Sequence, residues 1–258
     1  MSASMLELNN LSVRFGGNEV LIGMNYCAKP GFNGLIGPNG AGKTTVFNTI
    51  TGYVMPHAGG GALDGHPLPL GKPIASARLG IRRTFQTPKL VAELSVLSNV
   101  LIGVDATLAG LRGVAEFFGV SGLQKATHQR ALDLLRDFGL QGDANKPVSS
   151  LSLGTQKVVE VLRALVSRPR VLLLDEPAAG LSAVDVDQLV EPLARRGQDE
   201  GLIVVIIEHD LELVSRLCSR VAAMHFGRIV AEGTPSEVLA HPEVVKSYIG
   251  GRVAAEAE

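Results

Sequence analysis

Eight residues, GPNGAGKT from Gly37 to Thr44, place glycines, a lysine and a hydroxyl at the spacing G-x-x-x-x-G-K-[ST]. Glycines let the backbone turn tightly, so that successive N–H groups can point at the oxygens of an anion. The N-terminus of the helix that follows would add favourable partial positive charge. Lys43 then supplies a point charge for the outer phosphates of a nucleoside triphosphate, and the Thr44 hydroxyl a ligand for Mg²⁺. The competing reading is a glycine-rich turn with an incidental lysine. The flanking text opposes it, because FNGLIG reads as a short buried strand before the loop and TTVFNTITGYV as a helix after it.

A second group of candidates lies at the ends of two further apolar runs. VLLLDEP closes with Asp175 and Glu176, and LIVVIIEHD closes with His209. In a parallel sheet, ligands gather beyond the carboxyl ends of the strands. Asp175 is thereby placed to hold Mg²⁺, and Glu176 to orient or deprotonate a water. His209, at its strand end, reads as a surface residue or as a contact to the last phosphate. Gln86 in RTFQTP and Phe15 in VRFGG read, by themselves, as a polar loop residue and a half-buried aromatic.

The elements that must position these groups alternate between buried apolar strands and helices, as in VLLLDEP, then VDQLVEPLARRGQ, then LIVVIIEHD. That alternation argues for a parallel α/β sheet. The first thirty residues read as short strands and turns, interrupted at Gly16-Gly17-Asn18. From about Val91 to Ser149 helical periodicity dominates, as in HQRALDLLRDFGL, which marks an inserted helical region. VAAMHFGRIVAEG reads as a hairpin turning at Gly227-Arg228. The final RVAAEAE reads as a frayed tail.

Bulk properties restrict the class. The chain has 258 residues with 46% hydrophobic content, enough for a substantial core and against global disorder. A net charge of −1 gives no basic surplus for a nucleic-acid partner, so any anion must be bound locally. Cys27 and Cys218 have no metal-type spacing and read as reduced thiols of a cytosolic protein. MSASMLELNN lacks the charged and apolar regions of a signal peptide. Apolar runs such as Leu202 to Ile207 fall far short of the ~20 residues a membrane helix requires.

One stretch, SLSLGTQK from Ser150 to Lys157, is a departure from the five-letter signature LSGGQ, with Leu153 in place of glycine and Thr155 in place of glutamine. Taken in order with VRFGG, GPNGAGKTT, RTFQ, LLLDEP, SAVD and IEHD, it resembles the ATP-binding subunit of ABC transporters over essentially the whole chain. The resemblance implies a P-loop NTPase (ABC ATPase) core with a parallel sheet, an antiparallel β subdomain and an inserted helical subdomain. It implies a core of residues 1–88 and 166–250, a helical signature subdomain of 89–165 and a tail of 251–258.

The roles it implies carry over only at matching positions. Phe15 resembles the aromatic that stacks on adenine. Gly37, Pro38, Asn39, Gly40, Ala41, Gly42, Lys43, Thr44 and Thr45 resemble the phosphate loop. Gln86 resembles the glutamine that meets Mg²⁺ and the attacking water and that also relays to the membrane partner. Asp175 resembles the Mg²⁺ aspartate, Glu176 the general base and His209 the switch histidine. Ser152, Leu153, Gly154 and Thr155 resemble the signature that faces the nucleotide of a second subunit, and Ser182 to Asp185 resemble the loop that crosses to that subunit.

ATP and Mg²⁺ are the implied cofactors. The implied partners are a second ATPase subunit, identical or merely similar, transmembrane permease subunits and, indirectly, a solute-binding protein, with the chain at the cytoplasmic side of the membrane. TVFNTITGY, RTFQTPKL, DEPAAGLS, IEHDLELV and HPEVVKSYIG look most like the branched-chain amino acid importers; similar sequences serve urea and short amide uptake. A non-transport ABC protein usually carries two cassettes or a long coiled coil, and a small-molecule kinase would need neither a signature nor SAVD.

Overall fold

The computed structural model describes residues 4–104, 121–199 and 201–246. Its centre is a six-stranded sheet in the order β10-β9-β3-β8-β7-β6. These strands are β3 (Gly31–Ile36), β6 (Ile81–Arg83), β7 (Val171–Asp175), β8 (Ile203–Ile207), β9 (Arg220–His225) and β10 (Arg228–Gly233). β6, β7, β8, β3 and β9 run parallel, and only β10 is antiparallel to its neighbour. Every residue of β7 and β8 is buried, as uninterrupted apolar runs in a sheet covered on both faces must be.

Alternate side chains of these strands enter two different cores. Leu172, Leu174, Val204 and Ile206 face helices α3 (Val96–Ile102), α4 (Ser121–Asp137) and α5 (Leu153–Leu165). Leu173, Val205 and Ile207 face α1 (Lys43–Ile50) and a second sheet. That second sheet has the order β2-β1-β4-β5, all antiparallel, from β1 (Leu6–Phe15), β2 (Asn18–Ala28), β4 (Ala58–Leu63) and β5 (His66–Pro67). Among the described residues the remaining α-helices are α2 (Pro73–Arg78), α6 (Ala183–Asp199), α7 (Leu211–Leu217) and α8 (Pro235–Leu239).

Two local readings are corrected. The first thirty residues form two long strands joined at Gly16-Gly17, not short ones. Leu6, Leu8, Leu11 and Val13 are buried, so the period of two slips by one between Leu8 and Leu11. A bulge causes the slip: the ladder shifts register there and Asn10 sits at φ 50°, with its N–H donated to Asn25 Oδ1 at 2.9 Å. The hairpin of β9 and β10 turns at Phe226-Gly227, because His225 pairs with Arg228. Both turn residues have positive φ, 44° and 75°, as a two-residue type I′ loop demands. The helix following β7 runs through Pro192, as the reading of VDQLVEPLARRGQ expects. The tail 251–258 lies outside the described residues.

Candidate functional site

The phosphate loop leaves β3 at Gly37 and enters α1 at Lys43. Two of its glycines have no substitute. Gly37 has φ 149°, and a Cβ there would lie 2.3 Å from the Met224 carbonyl oxygen. Gly42 has φ 103°, and a Cβ would meet Leu21 Cδ2 at 2.8 Å. The loop is therefore moulded against β2 and β9, and the Gly227 N–H of the hairpin also donates to the Ala41 carbonyl at 3.1 Å. Lys43 is buried, and its Nζ donates to the Gly37 and Pro38 carbonyls at 2.7 and 3.0 Å. Burial lowers its pKa, against the opposing pull of the Glu176 and Asp175 charges. Asn39 to Thr45 line a cavity of about 210 Å³ together with Val20, Glu176, Ile207 and His209.

Glu176 is the meeting point of the strand-end candidates. Gln86 Nε2 donates to its Oε2 at 2.8 Å, and His209 Nε2 lies 2.8 Å from its Oε1. Residues 86, 176 and 209, distant in sequence, thus converge on one carboxylate beside the phosphate loop. Glu176 also sits at φ 48°, a left-handed conformation that costs a non-glycine residue about 1–3 kcal/mol. Groups outside the sequence reading hold this turn. Lys157 Nζ, from α5, donates to the carbonyls of Glu176 and Ala179 at 3.2 and 2.6 Å. Glu208, 3% exposed, accepts the N–H groups of Ala178 and His209 at 2.8 and 3.1 Å. Burial raises the Glu208 pKa; those N–H donors and that of Asp210 oppose the shift, and the Glu176 charge adds to it.

Asp175 is buried, and its Oδ2 is ion-paired with Arg83 Nη2. Arg83 also donates to Asn48 Oδ1 at 2.5 Å, and its guanidinium lies 5.4 Å from the ring centres of Phe47 and of Phe85. Sequence reasoning passed over Arg83, Lys157 and Glu208, although a charged residue within or beside a strongly apolar stretch is a usable signal. The Thr44 hydroxyl, the Asp175 carboxylate and the Gln86 amide offer only oxygen donors. Such a set fits a hard cation of the Mg²⁺ type, which keeps several waters and takes one or two carboxylates.

Other candidates lie apart from the cavity in one chain. Phe15 ends β1, 52% exposed, and is not part of the cavity wall. Ser152 caps α5: its Oγ accepts the Thr155 N–H at 3.1 Å and lies 2.9 Å from Thr155 Oγ1. Leu153 points outward, 54% exposed, while Gly154 is buried. A Cβ on Gly154 would lie 3.0 Å from Asp185 Cγ, so the signature and the SAVD loop touch within the chain. Ser182 Oγ donates to Asp185 Oδ2 at 2.7 Å and accepts the Asp185 N–H at 3.2 Å, a reciprocal cap at the start of α6. None of residues 152–155, 182 and 185 lines the phosphate cavity.

A parallel sheet with a glycine-rich phosphate loop, and a carboxylate at the end of a neighbouring strand, defines a nucleotide-binding protein of the P-loop class. The ABC transporter family matches residues 23–179, and the chain belongs to it, as an ATP-binding cassette of the transport ATPase type. A second family, the branched-chain amino acid ATP-binding cassette transporter, matches residues 228–254. The chain is 38% identical over 258 residues to the high-affinity branched-chain amino acid transport ATP-binding protein LivG of Escherichia coli (strain K12), covering 97% of this chain and 99% of that protein. It is 34% identical over 253 residues to the corresponding protein BraF of Pseudomonas aeruginosa, with the same coverage. Among solved structures, a nucleotide-free ATP-binding cassette from an ABC transporter superposes with a TM-score of 0.82 at 29% identity, covering 95% of this chain and 98% of that one. An ADP-bound cassette gives the same TM-score at 28% identity, covering 96% and 100%.

Proposed function

We propose that this chain is the ATP-hydrolysing subunit that energises import of branched-chain amino acids. The observation that carries the chemical part is the convergence of Gln86 and His209 on the Glu176 carboxylate beside the phosphate loop. The LivG and BraF relatives and the 228–254 match support the solute class.

In this reading the phosphates lie along the N–H groups of residues 37–45, with Lys43 leaving its own loop carbonyls for the outer phosphates. Thr44 and Asp175, with Gln86 alongside, would hold Mg²⁺, which would supply charge neutralisation for the phosphates. Glu176 takes the proton of the attacking water, Gln86 orients that carboxylate, and His209 contacts the terminal phosphate. Phe15 offers a ring face to the adenine. The site is completed head to tail by a second ATPase subunit, whose Ser152 and α5 N-terminus face the terminal phosphate. A cleft of about 530 Å³ running from Glu176 and His209 past Ala178, Leu181, Val186 and Leu213 gives room for the SAVD loop, Ser182 to Asp185, of that subunit. In this reading the chain divides into a core of 1–88 and 166–250 and a helical signature unit of 89–165. The assembly docks on permease subunits at the cytoplasmic face, and a separate binding protein delivers the solute.

The test is reconstitution of the chain with its permease in vesicles. ATP-dependent uptake of leucine, isoleucine or valine is expected. Uptake of urea or a short amide in their place would move the solute class, and no stimulated hydrolysis with any permease would sink the transport reading.

A further inference from the structure

Helix α5 carries three charged residues spaced three apart, Lys157, Glu160 and Arg163. Such a row runs along one side of a helix and is normally solvated. Here Lys157 and Glu160 are buried, and the Arg163 side chain is 18% exposed. Lys157 serves the turn after Asp175. The other two serve the segment around Gln86. Glu160 Oε1 accepts the Lys89 N–H at 3.1 Å. Arg163 Nη1 donates to the Lys89 carbonyl, and its Nη2 lies 3.3 Å from Glu160 Oε1. One ion pair of α5 therefore holds both the N–H and the carbonyl of Lys89, three residues after Gln86. Farther along, the fully buried Asn99 of α3 accepts the Val91 N–H at 2.8 Å and donates to the Val91 and Leu94 carbonyls at 3.0 and 3.2 Å.

The backbone of this segment is thus anchored to the helical layer, while the Gln86 side chain is attached to Glu176. Burial works against both members of the pair, raising the Glu160 pKa and lowering that of Arg163. A buried pair is seldom the most stable filling for its site. Its geometry gives it another use.

We propose that Glu160 and Arg163 form a positioning latch that ties residues 86–89 to the helix beginning at the signature. Displacement of α5, driven by whatever the signature contacts, is delivered to Gln86 and through it to the Glu176 carboxylate. Neither latch residue touches the nucleotide; they act through Gln86. The inference rests on the roles given above to Gln86 and Glu176.

The test uses the full chain with Glu160→Gln, Gln86→Ala and the double variant. Glu160→Gln is expected to lower kcat about tenfold with the KM for ATP within about twofold, since the phosphate loop is untouched. Amide exchange over residues 85–91 should quicken by about tenfold or more, with the exchange of β7 and β8 unchanged. The double variant should be no slower than Gln86→Ala alone, because the two residues act in series. Independent, multiplicative losses would overturn the latch, as would unchanged exchange over 85–91. Should Glu160→Gln not fold, Arg163→Lys keeps the charge but not the forked contact to Lys89, and the same local quickening is expected. If Gln86→Ala turns over at the parent rate, the role of Gln86 falls, and the exchange pattern alone judges the latch.

Discussion

Gln86 Nε2 and His209 Nε2 each lie 2.8 Å from Glu176, one on each carboxylate oxygen. The two contacts fix the plane of that carboxylate beside the phosphate loop. Glu176→Gln keeps the shape and removes the proton acceptor. It is expected to retain ATP binding and to slow hydrolysis by roughly 10²–10⁴-fold, the usual contribution of a general base. Single-turnover hydrolysis at the parent rate would remove Glu176 from that role.

Lys43 supplies a different kind of contact. Its Nζ already sits within the loop, on the carbonyls of Gly37 and Pro38. Lys43→Ala removes a charge-assisted bond to phosphate, which is worth roughly 1.5–3 kcal/mol, so ATP affinity should fall about 10–100-fold. Calorimetric titration of the isolated chain measures this directly. Unchanged affinity would mean that Lys43 only braces its own loop.

The phosphate loop, Asp175, Glu176 and the central strands were legible because each is written in contiguous residues. The supports were not. β6 is three residues long, too short for a periodicity, yet it carries Arg83 to Asp175 and leads to Gln86. The bulge at Asn10 shifted the phase of β1 and made one strand look like fragments. Phe226 occupies a positive-φ position that sequence patterns reserve for glycine or asparagine, which displaced the expected hairpin turn by one residue. Lys157 and Glu160 look like ordinary charges of an amphipathic helix until both faces of α5 are seen to be buried.

Glu208 gives a pH signature. Its pKa is raised in the fold, chiefly by burial. The folded state therefore binds that proton more readily than the unfolded chain. The stability this carboxyl contributes is complete below the ordinary glutamate value and is lost as pH rises through its folded pKa. Glu208→Gln cannot titrate. The melting temperature of the parent relative to this variant should fall as pH rises from about 4 and level off above the folded value. A difference that grows with pH would show that the N–H donors of Ala178 and His209 outweigh burial and hold Glu208 as a carboxylate.

Thr155 stands where the signature resemblance implies glutamine, and its hydroxyl lies 2.9 Å from that of Ser152. Its shorter side chain stays on the serine that caps α5. Thr155→Val removes the hydroxyl but keeps the N–H that Ser152 accepts. The loss of one exposed hydrogen bond should change folding stability by under about 1.5 kcal/mol, and ATP binding by isolated chains should not move. On the head-to-tail dimer proposed above, turnover should fall, because the Ser152 hydroxyl is no longer directed. Ser152→Ala should lower dimer turnover further and also remove the helix cap, costing about 0.5–2 kcal/mol in a denaturant titration. Thr155→Gln separates the two roles: with turnover unchanged, threonine and glutamine serve equally. If Thr155→Val retains full turnover while Ser152→Ala abolishes ATP binding by single chains, the signature acts within its own chain and not across a dimer.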